Sequence, residues 1–417
     1  MAATTTDPLF DAMVLEHPHP YYAQLRESDP VHLIQGTNAY LISRFDLIQE
    51  VIANPIIYSS NSGEFLYLSE FDQPGLRSPG HSDNGDIEMP GVLATADPPD
   101  HGRQRRILSG ILSVGAINER QDEFRELIHA ALDLHLASGR VEWMADIAEP
   151  LPMVIVARLL GLPDSDAPAL KEQGYASVEQ ISGFVSEERH DVLLQKMMEL
   201  GPVIEGYAAA RSTENPDQST VIGVCANAVG NGELSDIEAF GILGILLAAG
   251  GESTTSLLGT GVRILAERSD LQERLRREPG LLPTFVEEVC RLDPPFRGHY
   301  RRVVVDATLG GVEIPAGARL VLLWPAANRD HSLCTQPEDI DLGRTNPRHH
   351  VGFGWGIHLC IGAPLARLEA KLVLEGLLAR TSGFSIEGAP ENLRHHRSLM
   401  VRRLVSLPLK IDRSDEK

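Results

Sequence analysis

Cysteine is scarce in this 417-residue chain, and the four present (Cys225, Cys290, Cys334 and Cys360) show no paired spacing. That argues against a disulfide framework and for a reducing compartment. Positive charge is also in short supply: 37 Lys and Arg against 58 Asp and Glu leave a net charge of −21. A nucleic-acid-binding protein needs a basic face, which this balance disfavours. The N-terminal stretch MAATTTDPLFDAMV has no basic region followed by an apolar one, and no apolar run of roughly 20 residues for a membrane anchor. A soluble, cytoplasmic protein is therefore expected. No Pro/Gly/Ser-rich linker, repeat or low-complexity tract divides the chain, although its length alone would suit two or three domains. A flavin or nicotinamide fingerprint and an iron–sulfur cysteine run are missing too.

What is there is a large apolar fraction, 43%, enough for a sizeable core and incompatible with a disordered chain. Residues 31–43 read as a hairpin around Gly36-Thr37-Asn38. A glycine- and proline-rich segment from about 61 to 95 is long enough to be functional. Helices are predicted over about 99–112, 118–138 and 144–160, then over 166–212 in pieces broken by Pro163, Pro168, Gly174, Gly183 and Gly201. Ser235-x-x-Glu238 is a capping box that opens the longest helix, to about Arg268. Ser269-x-x-Gln272 is a second such signal, and a further helix over 281–292 stops at Asp293-Pro294-Pro295. Strands dominate only afterwards, at Arg302–Val305, Val312–Ile314 and Leu320–Trp324.

One run is dense in chemistry: Phe353-Gly354-Trp355-Gly356-Ile357-His358-Leu359-Cys360-Ile361-Gly362, directly before a helical pattern with Pro364 near its start. A thiol there meets the positive end of a helix and unpaired backbone N–H groups, and both favour the thiolate. Such a group is either a nucleophile or a metal ligand. A phosphate loop lacks its Lys-Ser/Thr here, and a zinc site from His349, His350, His358 and Cys360 lacks the usual ligand spacing.

The pattern Phe353-x-x-Gly356-x-His358-x-Cys360-x-Gly362 resembles the haem-ligand signature of cytochrome P450s. The resemblance implies that Cys360 is the axial iron ligand, whose thiolate favours O–O cleavage. The implied fold is mostly α, a single domain over 1–417 with a loosely ordered extension over 1–20. A large helical body and a small β-rich region are expected, with haem b between the long central helix and the cysteine loop. The lack of an anchor looks like the soluble bacterial type. Glu288-x-x-Arg291 resembles the family's structural pair, tying its helix to the loop before the cysteine. Ala249, Gly250 and Glu252 match the motif A-G-x-(Asp/Glu)-Thr, with Ser253 in the threonine place. Ala249 and Gly250 would leave room for oxygen and substrate. Serine lacks the methyl that restricts χ1, so oxygen-side hydrogen bonding is less fixed, and Thr254 can substitute if the helix kinks.

His101-x-x-x-Arg105, Arg301 (with Arg302 an adjacent rival) and His358 look like contacts to the haem propionates. Phe353 and Gly362 would also contact the cofactor. The implied substrate pocket takes Leu93, Leu246, Phe296, Leu399 and Met400, with Ala249 and Pro295, and is mostly apolar. His299, Arg297 and His396 are polar candidates there. The implied reaction is monooxygenation, with Glu252 and Ser253 or Thr254 managing water and protons. Its electrons would come from a ferredoxin-type donor and its reductase. Arg103, Arg106, Arg344, Arg348, His349 and His350 form either a docking patch for that donor or an ordinary solvated rim. A peroxide-driven or rearranging P450 and a haem-thiolate ligand binder or sensor are the alternatives. Glu252-Ser253 argues against the peroxide-driven kind, which usually replaces the acid–alcohol pair.

Overall fold

The computed structural model describes residues 6–79 and 91–413. Through its middle runs the helix Asp236–Glu267, 32 residues and about 48 Å long. Its start follows the capping box in detail. Ser235 Oγ accepts from the Glu238 N–H at 3.2 Å, and the Glu238 carboxylate accepts from the Ser235 N–H at 2.9 Å. Among the described residues this is the one helix long and apolar enough to cross a bilayer, yet 56% of its most apolar stretch is buried inside the protein. It packs against Pro150–Leu160, Ala167–Gln180 and Ala363–Arg380, and the apolar side chains between them form the main core.

Most expected helices are found, with instructive exceptions. The stretch 166–212 is three helices, Ala167–Gln180, Glu187–Met198 and Gly201–Arg211, parted near Gly183 and Gly201. Gly174 does not break its helix; it lets that helix approach the central one, where a Cβ would stand 3.1 Å from the Leu247 carbonyl oxygen. Ser269 is not a cap: Arg268 holds that place, and the Gln272 amide instead donates to the carbonyls of Leu265 at 2.7 Å and Phe384 at 2.8 Å. The helix Val221–Gly230 was not anticipated, because VIGVCANAVG is small and apolar on most of its circumference and shows no amphipathic period.

The principal sheet has the strand order Val31–Ile34, Ala39–Ile42, Arg319–Leu323, Gly298–Val303, Tyr58–Ser59. The first pair is the expected antiparallel hairpin, while Arg319–Leu323 runs parallel to Ala39–Ile42. Side-chain alternation sends Leu320 and Leu322 into one apolar cluster and Val321 and Leu323 into another, so both faces are covered. The same alternation on Gly298–Val303 buries Arg301 and exposes Arg302.

The N-terminal stretch differs from the loosely ordered extension expected over 1–20. From Asp7 onward it packs, with Leu9, Phe10 and Leu15 buried in the cluster that holds Leu41 and Val321. Asp7 fastens it, accepting from Tyr21 Oη at 2.8 Å and lying 2.6 Å from His32 Nε2. In the variable segment, Phe65–Leu68 and Pro74–Arg77 form an antiparallel hairpin. The Leu68 N–H donates to the Gly183 carbonyl at 2.8 Å, joining that hairpin to the turn after Ala167–Gln180. Residues 80–90 of this segment lie outside the described residues.

Candidate active site

The cysteine loop is shaped by its glycines. Gly354 (φ +72°) and Gly356 (φ +65°) adopt the left-handed conformation that side chains resist. Gly352 lies so close to the helix Leu282–Leu292 that a Cβ would sit 2.4 Å from the Cys290 carbonyl oxygen. The loop closes through the Cys360 N–H, which donates to the Phe353 carbonyl at 2.8 Å, and the helix Ala363–Arg380 follows at once. Cys360 is accessible although it lies deep in the molecule. Burial pushes its thiol pKa up, against the downward pull of the Gly362 N–H, Arg105, Arg367 and the Ala363 N–H. Helix end and glycine donors were expected to favour the thiolate; in the protein alone, burial outweighs them.

Behind the loop stand two adjacent carboxylates. Glu288 and Arg291 are both fully buried, with Arg291 Nε 2.8 Å from Glu288 Oε1. Arg344 adds a second guanidinium at 2.7 Å and the Asp341 N–H a further donor at 2.9 Å. Arg291 also reaches the carbonyls of Asn328, Pro337 and Asp339. Burial raises the Glu288 pKa, but these partners outweigh it and hold the carboxyl below the usual range. The pair thus ties its helix to residues 328–344, in the chain that leads to the cysteine loop. Its neighbour Glu287, which was not singled out in the sequence, reaches that loop. It lies 3.1 Å from His350 Nε2 and takes a bidentate pair from Arg367 at 2.7 and 3.1 Å.

On the other side of Cys360, three segments bring four nitrogen-bearing side chains together. His101 and Arg105 come from the helix Asp100–Leu108, Arg301 from strand Gly298–Val303 and His358 from the cysteine loop. The His101 and His358 rings stand 4.1 Å apart. His101 is buried, and among the described residues its Nε2 has no hydrogen-bond partner. Arg301 is buried as well, donates only to its neighbour's carbonyl, Tyr300 O, at 2.8 Å, and meets no carboxylate within ion-pair distance among the described residues. Burial brings the Arg301 pKa down to about 10, and burial with the nearby Arg301, His101, His299 and Arg105 brings His358 down to about 3. Arg105 donates to the Leu359 carbonyl at 2.8 Å, and Ser60 Oγ lies 2.9 Å from His358 Nε2. The nearby Asp97 favours the charged forms of His101 and Arg301, but it is held by Ser59 and Ser60 and pairs with neither among the described residues. A donor set that repels itself suits a further anion. Haem b presents two carboxylates for such donors and an iron that a cysteine can hold, so the residues fit that group. Among the described residues no three His, Cys, Asp or Glu groups cluster as a metal site, so the zinc arrangement finds no support.

The central helix carries the remaining candidates. Ala249 is exposed in its middle, and Ser253, one turn on, is partly exposed on the same face. Ser253 Oγ donates to the Ala249 carbonyl at 2.6 Å. Thr254 is buried. Gly250 was expected to leave room for oxygen and substrate, but its missing side chain points at the helix Pro150–Leu160. A Cβ there would lie 2.8 Å from Val156 Cγ2, and one on Gly251 would lie 2.2 Å from Met153 Sδ. Both glycines therefore serve close helix packing. Glu252 turns from Ser253 to a buried ion pair with Arg403 at 3.0 Å, which also binds Glu149 at 2.8 Å. Burial raises the Glu252 pKa despite Arg403. Arg403 and Glu149 went unnoticed in the sequence, being remote from Glu252 along the chain.

The expected pocket residues fall into two groups. Leu93 and Leu246 belong to the main core, whereas Phe296, Leu399 and Met400 join Phe65, Leu66, Ile181 and Phe184. Pro295 accepts from the Arg402 N–H, beside that second group. Arg297 is buried and donates to the Leu15 carbonyl, so it braces the N-terminal stretch. His299 stacks near Phe296 and Trp324, and burial lowers its pKa to about 4. The His396 N–H donates to the Arg403 carbonyl, and burial lowers its ring pKa to about 4. The expected basic patch is smaller than its residue count suggests. Arg103 pairs with Asp100 and Glu238, Arg344 with Glu288 and His350 with Glu287; Arg106 and Arg348 stay exposed, and His349 stacks between Phe45 and Trp355.

A family model described as "Cytochrome P450" matches residues 200–403. A Mycobacterium tuberculosis protein, cytochrome P450 144, is 37% identical over 98% of this chain and 92% of its own length. Mycinamicin IV hydroxylase/epoxidase of Micromonospora griseorubida is 31% identical over 93% of the chain and 94% of its own length. The crystal structure of CalO2 superposes with a TM-score of 0.85 at 26% identity, covering 98% of this chain and 99% of that one.

Proposed function

The chain belongs to the cytochrome P450 family, and from that premise we propose a haem-thiolate monooxygenase acting on a hydrophobic small molecule, with electrons from a separate ferredoxin-type protein and its reductase. The family's cofactor is haem, which when bound supplies the activation of O2. One oxygen atom enters the substrate and the other leaves as water, at the cost of two electrons and two protons.

In this reading Cys360 is the axial ligand. His101, Arg105, Arg301 and His358 hold the propionates, while Phe353 and Gly362 pack beside the cofactor. Ala249 leaves space on the central helix, and Ser253 is the hydroxyl nearest that space. Glu252, buried and paired with Arg403, can pass a proton toward Ser253 if Arg403 lets it turn. The cluster of Phe65, Leu66, Ile181, Phe184, Phe296, Leu399 and Met400 supports an apolar substrate. The relative named for hydroxylation and epoxidation supports oxygen insertion. The missing flavin, nicotinamide and iron–sulfur motifs support an external electron supply. One domain over residues 1–417 and a soluble, cytoplasmic location complete the proposal, the free cysteines supporting the latter.

The observation that carries this reading is an accessible cysteine in the same loop as His358, whose ring stands against the buried His101, while His101 Nε2 and Arg301 find no ion-pair partner among the described residues. Its test is the absorption spectrum of the dithionite-reduced, CO-treated protein beside Cys360→Ser. A strongly red-shifted Soret band, lost in the variant, is expected. A band of histidine-ligated type, or a protein that takes up no haem, would overturn it.

A further inference from the structure

Glu287 and Arg367 do work that the Glu288–Arg291 brace does not. Glu287 is nearly fully buried, with its side chain 5% exposed, and Arg367 grips it with two parallel N–H donors. Such fork-to-fork geometry fixes the orientation of the guanidinium as well as its position. The plane so fixed lies over the Phe353 ring, with the guanidinium carbon 4.3 Å from the centroid. The Phe353 carbonyl in turn accepts the Cys360 N–H at 2.8 Å, so the ring and the thiol belong to one rigid turn. Arg367 is also among the groups that pull the Cys360 thiol toward its anion.

The far side of Glu287 is held as firmly. His350 is buried, and its Nδ1 accepts the Gly352 N–H at 3.0 Å. Nε2 must then carry the ring proton and donate it to Glu287 at 3.1 Å, so this histidine stays a neutral prop. Arg348, 3.4 Å from Glu287, is largely exposed and contributes little. Within this group Arg367 is the one cation both oriented by a buried partner and directed at the cysteine loop.

We infer that Glu287 and Arg367 are a pair of positioning residues that set the reduction potential of the haem-thiolate centre, Glu287 holding the Arg367 charge over Phe353 beside the Cys360 sulfur. The inference rests on Cys360 being the axial ligand. A fixed positive charge near the sulfur withdraws electron density from the ligand and favours the reduced iron; the buried negative charge behind it partly offsets this. The two residues therefore act with opposite sign.

The test is the midpoint potential of haem-loaded parent, Arg367→Gln, Arg367→Lys and Glu287→Gln proteins, with the CO-bound Soret band recorded for each. Arg367→Gln should move the midpoint negative by on the order of tenfold in the reduction equilibrium, about 59 mV for one electron. Glu287→Gln should move it positive, and Arg367→Lys should restore most of the parent value. Shifts of the same sign in Arg367→Gln and Glu287→Gln, or none, would overturn the inference. So would loss of the thiolate-type band in both variants while the parent keeps it, because the pair would then be only a brace. Absence of that band in the parent would instead overturn the reading of Cys360.

Discussion

Ser253 Oγ donates 2.6 Å to the carbonyl oxygen of Ala249, closing a one-turn loop on the exposed face of the central helix. Serine and threonine hydroxyls that bond back by four residues commonly bend the helix that carries them. Without a γ-methyl, Ser253 can leave this hydrogen bond by rotating about χ1 more freely than threonine could. We therefore expect Ser253→Thr to release less peroxide per electron pair consumed than the parent, measured with a surrogate ferredoxin and reductase. Equal peroxide yields would show that the methyl does not matter here.

The brace behind the cysteine loop has no slack. Glu288 and Arg291 are wholly buried, so Glu288→Ala takes the carboxylate from two guanidiniums. Arg291→Ala leaves Glu288 to Arg344 and the Asp341 N–H and frees the carbonyls of Asn328, Pro337 and Asp339. Each should cost about 3–5 kcal/mol. The expected product is protein lacking haem, read from the ratio of Soret to 280 nm absorbance. Soluble, fully loaded variants would sink this prediction.

Among the described residues Arg301 forms no ion pair with a carboxylate, though Asp97 is near enough to favour its charge. Arg301→Gln should weaken haem retention by roughly 10- to 100-fold, the equivalent of one charge-assisted hydrogen bond at about 1.5–3 kcal/mol. Arg302→Gln, on the exposed face of the same strand, should change nothing. Transfer of haem to an apo-globin acceptor measures both. Matching rates for the two variants would place the propionates elsewhere.

A pH dependence is built in far from the haem. His32 lies between Asp7 and Asp29, and hydrogen bonding to Asp7 raises its pKa to about 9, against the burial that lowers it. A histidine with a raised folded-state pKa stabilises fully below its unfolded value, about 6.5, and loses that contribution as pH rises through about 9. The thermal midpoint should therefore fall across this window, and His32→Gln should flatten the fall. Because Asp7 also secures the N-terminal stretch, proteolysis before residue 20 should quicken over the same range.

How far the sequence reaches depends on whether partners are neighbours in the chain. The cysteine loop is legible because its glycines and ligand lie within ten consecutive residues. The capping box at Ser235 is local for the same reason. Arg301 and Arg302 are indistinguishable until strand register decides which of them points inward. The partner of Glu252 is 151 residues away, and nothing in a one-dimensional pattern pairs it with Arg403. Gly250 shows the limit differently. A small residue in a helix announces close approach without saying whether a ligand or another helix approaches, and here it is Val156. Glu287 was overshadowed by its neighbour in the recognised motif, though two consecutive acids before an arginine were a visible cue.

The glycines of the central helix bear on how such a protein could change what it accepts. Gly250, Gly251 and Gly259 are pressed against Val156, Met153 and Met144, off the face that carries Ala249 and Ser253. A methyl added at any of the three must push the helix or displace its backing. Enlarging Val156 by one carbon would do the same from outside. The position of the central helix is thus set by the bulk of the side chains that back it. A directed-evolution library confined to the face of Ala249 and Ser253 would omit those positions, and they are where small changes in bulk should shift the substrate range with the chemistry left intact.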